Sequence, residues 1–222
     1  MTHEITFEAV RKDKAVQAYI AHADATMQYM GYTEHSLPHV TRVSDTAGYI
    51  LETLDYPARE IELARIAGFL HDIGNLVNRS DHAQSGALMA FQILERLGAT
   101  PDDTATIVTA IGNHDEGTAE PVNAVAAALI LADKTDVRRS RVRSKENMET
   151  DIHDRVNYSA RESAVSIDAA RKTLTLRLTV DTEYSSVMNY FEIFLERMVL
   201  CRKACKRLGM DFQLAINNQD ML

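Results

Sequence analysis

Cysteine and long apolar runs are both scarce in this chain. The two cysteines, Cys201 and Cys205, stand four residues apart in a helical pattern. That spacing suits one face of a helix in a reduced compartment, not a disulfide framework, and no zinc motif surrounds them. The longest apolar run, Ala124 to Ala132, has nine residues. A membrane-spanning helix needs about 20. The opening Met1-Thr2-His3-Glu4 lacks the basic and apolar regions of a signal peptide, so a cytoplasmic location is expected. Positive charge is also short: 24 Lys and Arg against 32 Asp and Glu leave a net charge of −8. Such a balance argues against stable nucleic-acid binding. Neither an internal repeat nor a low-complexity linker is present.

What is present is an ordinary globular composition, 45% hydrophobic and 25% charged over 222 residues. That length fits one large domain or a core with an appendage, and it buries a core without disulfides or a structural metal. A metal bound here would serve chemistry before folding.

Periodicity and breakers predict a mainly α protein. A first helix is expected over residues 8–30, and Gly31 and Pro38 bracket a loop. A second helix runs over 39–54 to the Asp55-Tyr56-Pro57 turn. A third, strongly apolar, covers 58–72. Residues 73–80 read as a loop. Asp81 caps a fourth helix over 82–97, and Thr100-Pro101-Asp102-Asp103 starts a fifth that runs to about 114. Pro121 opens a sixth, apolar nearly all round and ending near Asp133, which is expected to be buried. Beyond residue 160 the pattern changes. Leu174, Leu176, Leu178 and Val180 alternate with polar residues, the period of a half-buried strand. Val165 and Ile167 suggest its hairpin partner across Ala170-Arg171-Lys172. A long amphipathic helix over 184–208 closes the chain, with Val187, Phe191, Phe194, Leu195, Met198 and Val199 on its apolar face. The expected organisation is an N-terminal helical segment over 1–34, a core over 35–140 and a helix/hairpin/helix appendage over 141–222 packed on it. A homodimer contact or a substrate lid is left open as a role for the appendage.

The chemistry centres on Leu70-His71-Asp72-Ile73-Gly74. A carboxylate ending an otherwise apolar helix is costly to bury unless it is paired or coordinates a metal. Imidazole with carboxylate suits iron, manganese, zinc or cobalt. The dipeptide alone is weak evidence, since Ile152-His153-Asp154-Arg155 repeats it in a polar stretch; that second pair reads as solvated surface. The first gains force from its company. His39 opens the second helix, His82 begins the fourth, His114 ends the fifth and Asp133 ends the sixth. Helix ends in an antiparallel bundle can converge at one mouth. His3, His22 and His35 fit no such block and read as surface or packing residues.

The order His, His-Asp, His, His, Asp with these flanks resembles the HD superfamily of metal-dependent phosphohydrolases over residues 35–140. The additional His82 and His114 resemble its binuclear branch, which includes cyclic-di-GMP phosphodiesterases and diadenosine tetraphosphate hydrolases. Glu116-Gly117-Thr118-Ala119 stands where the cyclic-di-GMP enzymes carry Gly-Tyr-Pro, and Asn75 where they carry Lys, which points away from that substrate. The resemblance implies an HD-domain helical bundle with a small C-terminal β-hairpin and long helix. It implies two divalent ions: one held by His39, His71, Asp72 and Asp133, the other by His82 and His114 with Asp72 bridging. Asp72 and Asp133 are then the catalytic carboxylates. The implied activity is hydrolysis, by a metal-bound hydroxide, of a phosphomonoester or phosphodiester in a nucleotide or other small phosphorylated metabolite. A mixed-valent di-iron oxygenase and a non-catalytic HD-like regulatory module are the alternatives.

The segment Lys134 to Lys145 is basic against the acidic whole. Guanidinium forks match phosphate oxygens, so Lys134, Arg138 and Arg141 are candidate substrate-binding residues. Ion pairing with the surplus acids is the competing reading. Arg42, one turn from His39, is a candidate support for a ligand from behind. Lys134 and Asp136 are expected to shape the rim, and Glu116 is a candidate proton donor.

Overall fold

The computed structural model describes residues 4–143 and 152–221. His3 and Lys145 lie outside them. Among the described residues there are nine α-helices and one four-stranded sheet.

Two short helices lead the chain, α1 (Phe7–Lys12) and α2 (Lys14–Tyr29). One continuous helix is expected there. It breaks because the Asp13 side chain accepts from the Val16 backbone N–H and caps a new start. Ile5, Val10, Val16 and Ile20 join the same buried cluster as the central helices.

Five helices build the centre: α3 (Leu37–Thr53), α4 (Ala58–Leu70), α5 (His82–Arg96), α6 (Pro101–Gly112) and α7 (Ala124–Lys134). Pro38 sits in the first turn of α3, where a missing N–H costs nothing. Its helix therefore begins two residues earlier than expected. The Thr100 side chain caps α6 by accepting from Asp103 N–H. Asn123, not Pro121, caps α7. Every residue from Val125 to Ala132 is buried, so α7 runs through the middle of the molecule. At Gly68 a Cβ would meet the Ser44 backbone within 2.8 Å; its absence lets α4 lie close against α3.

After α8 (Ile152–Ser159) come β1 (Ala160–Asp168), β2 (Thr173–Val180), α9 (Val187–Arg207), β3 (Asp211–Ile216) and β4 (Gln219–Asp220). The hairpin β1–β2 is antiparallel, with Val165 opposite Leu176. The sheet extends beyond the expected hairpin. β3 pairs parallel to β2, Leu174 opposite Phe212, and β4 folds back on β3. A parallel neighbour needs a long crossover, and the 21-residue α9 supplies it. The buried face of α9 carries Tyr190, Phe194, Met198, Cys201 and Cys205. Leu195 and Val199, expected on that face, are 54% and 38% exposed. Both cysteines are buried and free; burial raises the thiol of Cys205 to about 12. No helix among the described residues is long and apolar enough to cross a membrane.

Candidate metal centre

All six proposed ligands meet at one end of the central bundle. His39 lies in the first turn of α3, His71 and Asp72 follow α4, and His82 is the first residue of α5. His114 follows the end of α6, and Asp133 is the penultimate residue of α7. His39, His71, His82, His114 and Asp72 are all buried.

Each histidine is locked by the hydrogen bond of its Nδ1. His71 donates to Gly68 O at 2.8 Å, His82 to Arg79 O at 3.1 Å and His114 to Ile111 O at 2.6 Å. A carbonyl only accepts, so Nδ1 carries the hydrogen and Nε2 is left with its lone pair. His39 Nδ1 is 2.8 Å from Asp136 Oδ2. The Nε2 atoms of His39, His71 and His82 turn to carboxylates, and His82 Nε2 also accepts from Arg79 NH1 at 3.3 Å. Asp72 Oδ2 lies 3.4 Å from His39 Nε2 and 3.3 Å from His71 Nε2; Asp72 Oδ1 lies 3.6 Å from His82 Nε2. Asp133 Oδ1 is 3.5 Å from His39 Nε2 and 3.7 Å from His71 Nε2.

This geometry leaves His39 Nε2, His71 Nε2, His114 Nε2 and Asp72 Oδ2 buried without a hydrogen-bond partner. Orphaned polar atoms are rare in protein interiors and call for an ion or a water. Ligand atoms of His39, His71 and Asp72, of His71, His114 and Asp133, and of Asp72, His82 and His114 each fall within 4.8 Å of one another. Imidazole nitrogens and carboxylate oxygens around a buried demand for positive charge fit a divalent cation. The same demand shows in the titration. Burial works against a charged His71, yet Asp72 and Asp133 outweigh it and raise its pKa to about 10. Burial, with His71 and Lys134 nearby, pushes His114 down to about 3 and keeps it neutral.

The sequence mislaid several neighbours of this cluster. His35, expected at the surface or in packing, is buried beside the site: its Nε2 is 4.0 Å from Asp72 Oδ2 and its ring stacks edge-on to His39. Asp154, expected in solvent with His153, is buried; only His153 stays exposed. Glu116 is not placed to donate a proton. It contacts Lys134 Nζ at 3.0 Å and Arg197 at 2.5 Å, and although burial opposes its charge, those two cations hold it well below the usual carboxylate range. Lys134 also contacts Asp133 Oδ2 at 2.7 Å, which leaves Oδ1 toward the histidines.

Asp136 is not on the rim of the ligand cluster but behind His39. Its carboxylate accepts from His39 and from Arg138 Nε at 2.9 Å, and pairs with Arg42 Nε at 3.0 Å. Arg42 thus backs His39 through Asp136. Burial raises the Asp136 pKa, but His39, Arg141 and Arg138 together depress it strongly.

A cavity of about 190 Å³ opens onto the cluster. Its walls include Asp72, His82, Asp133, His35 and Arg79 on one side and Asp154, Asn157, Phe194 and Arg197 of α8 and α9 on the other. Lys134 and Arg141 line it as well. Arg138 does not: its guanidinium is taken up by Asp136, Glu34 and Ser140. Arg141 is largely committed to Glu34 O and Asp136 O. Arg79, unmarked in the sequence, reaches within 3.9 Å of Asp72 Oδ1. A larger cleft of about 810 Å³ lies between α3 and β1 and holds none of the six ligands.

A helical bundle whose helix ends present four histidines and two aspartates to one buried point has the donor set to hold divalent metal. Residues 37–138 match the family model of the HD domain. That match spans a little under half of the chain and takes in all six candidate ligands, from His39 to Asp133. It is 28% identical over 189 residues to ribonuclease Y of Alkaliphilus metalliredigens, covering 84% of this chain and 37% of that protein. It thus spans little over a third of that relative. An uncharacterized protein of Methanocaldococcus jannaschii is 24% identical over 162 residues, 63% of this chain and 62% of the other. A solved structure, a predicted HD superfamily hydrolase from an uncultured Thermotogales bacterium, aligns with a TM-score of 0.44 and 24% identity, over 56% of this chain and 68% of that one.

Proposed function

We propose that this protein hydrolyses a phosphoester bond in a small phosphorylated metabolite, foremost a nucleotide, at a centre of two divalent ions. The observation that carries the reading is the set of four orphaned ligand atoms converging beside a cation-lined cavity. His39, His71, Asp72 and Asp133 would hold one ion, and His82 and His114 the other. Asp72 suits a bridge, because Oδ2 faces His39 and His71 while Oδ1 faces His82. When bound, divalent ions supply an activated water and a clamp for phosphoryl oxygens.

The chain's own residues do the rest. Lys134 neutralises the outer oxygen of Asp133. Asn75 Nδ2 donates to Asp72 Oδ1 at 2.8 Å and fixes that carboxylate's rotation. Arg79 donates from NH1 to Asn75 Oδ1 and His82 Nε2, and the rest of its guanidinium is a donor for a phosphate entering the cavity. Phe194 adds an apolar wall to the cavity. Enclosure by α8 and α9 supports a small substrate over a polymer, and the net charge of −8 supports the same choice.

The test pairs elemental analysis with a phosphate-release screen over phosphomonoesters, nucleotides and RNA. Two metal ions per chain and oxygen-independent turnover of a small phosphoester are expected, with Asp72→Asn losing both metal and activity. RNA cleavage without turnover of small esters would overturn the substrate class. Turnover that requires dioxygen would replace the hydrolase by a di-iron oxygenase.

A further inference from the structure

We propose that Asp136 is a positioning residue for metal binding, acting through the hydrogen bond it accepts from His39 Nδ1. The inference rests on the metal reading of the site. Three of the four ligand histidines, His71, His82 and His114, donate Nδ1 to backbone carbonyls three residues earlier in the chain. His39 alone meets a carboxylate, at 2.8 Å. A carboxylate partner fixes the tautomer more firmly than a carbonyl and makes the opposite nitrogen a stronger donor to a cation. That opposite nitrogen, His39 Nε2, is the orphaned atom facing Asp72 and Asp133.

The surroundings hold Asp136 for this purpose. Its side chain is 2% exposed, and Arg141 NH1 stands 4.0 Å from Oδ2. Arg42 and Arg138 engage Oδ1, which leaves Oδ2 to His39. Arg141 NH1 donates to the Asp136 backbone oxygen at 3.0 Å and anchors the segment just after Asp133. Of the basic run after Asp133, Arg138 and Arg141 are thus committed to Asp136, while Arg139 pairs with Asp181 and Arg143 with Asp24.

The experiment measures affinity for Mn²⁺ and Zn²⁺ by chelator competition in the full chain, with the tautomer of His39 read by long-range ¹H–¹⁵N NMR. Asp136→Asn keeps size and shape but removes the charge; it is expected to weaken the tighter ion by about 10–100-fold. Asp136→Glu, which restores the charge, is expected to recover part of that loss, as a purely structural role would not. Wild-type affinity in a folded Asp136→Asn variant overturns the inference and leaves the metal site standing. If that variant does not fold, the wild-type spectrum decides: a proton on His39 Nδ1 supports the proposal, and one on Nε2 overturns it. Failure of the wild type to bind either ion removes the metal reading and this inference with it.

Discussion

Gly74 closes the His71-Asp72-Ile73-Gly74 run, and its hydrogen is the only side chain the site has room for. A Cβ placed there would lie 2.5 Å from the Gly86 backbone nitrogen and 2.7 Å from Ser85 Oγ, and closer still to the His82 carbonyl oxygen. Ser85 can rotate away, but the other two atoms belong to the backbone of α5. Relief to even 3.0 Å moves the Gly86 nitrogen by roughly 0.5 Å, and the His82 end of the helix by more. Overpacking a tight interior costs about 1–3 kcal/mol, and immovable backbone puts Gly74→Ala at about the upper end. For a chain of this size that is a fall in Tm of about 6–12 °C. The same push displaces His82, the first residue of α5, from its 3.6 Å approach to Asp72. The variant should therefore also lose the ion nearer His82. Thermal and urea unfolding together with elemental analysis read both effects. Gly112→Ala is the control, since its Cβ would meet only Ala87 Cβ, at an ordinary 3.6 Å. A Gly74→Ala protein within about 2 °C of wild type and with full metal content would refute the reasoning, because a shift of that size is under 1 kcal/mol.

Arg138→Ala should leave KM for the phosphoester unchanged, because Asp136, Glu34 and Ser140 already occupy its guanidinium; steady-state kinetics check this, and a several-fold rise in KM would return Arg138 to the substrate site. Asp103→Asn should cost about 1.5 kcal/mol near neutral pH, the low end for charge-assisted hydrogen bonds because Arg59 is partly exposed. Burial raises the Asp103 pKa, but Arg59, donating from Nε at 3.0 Å and NH2 at 2.6 Å, lowers it overall. A lowered folded pKa contributes stability that is present above the unfolded value of 3.8 and lost as pH falls through the folded one. The gap between wild type and variant in urea unfolding should thus close below that value; a gap that persists in strong acid would mean the loss is packing, not charge.

The sequence by itself determined the helical centre and picked out the six residues that meet at its end. Apolar periodicity reports burial along one element, so the helices from α3 to α7 were legible within a few residues at their ends. These six were legible because His39, His71, Asp72, His82, His114 and Asp133 each sit at a helix end, in a fixed order, against apolar flanks. The local signal failed where the partner lies far along the chain. His39 and Asp136 are 97 residues apart, and only the packing of α3 beside the end of α7 makes one the partner of the other. The arginines after Asp133 looked like a phosphate site because sequence shows their charge and not the acid that takes it up. Asp154 read as polar and therefore solvated, and His35 as surface or packing, but α8 and the loop before α3 carry them into the wall of the cavity. Phe212, Leu214 and Ile216 alternate as a strand should, yet their parallel pairing with β2 depends on α9 crossing between them. Composition and period fix what an element buries; only the tertiary structure decides which charge meets which, because that is set by contacts between elements the chain does not place side by side.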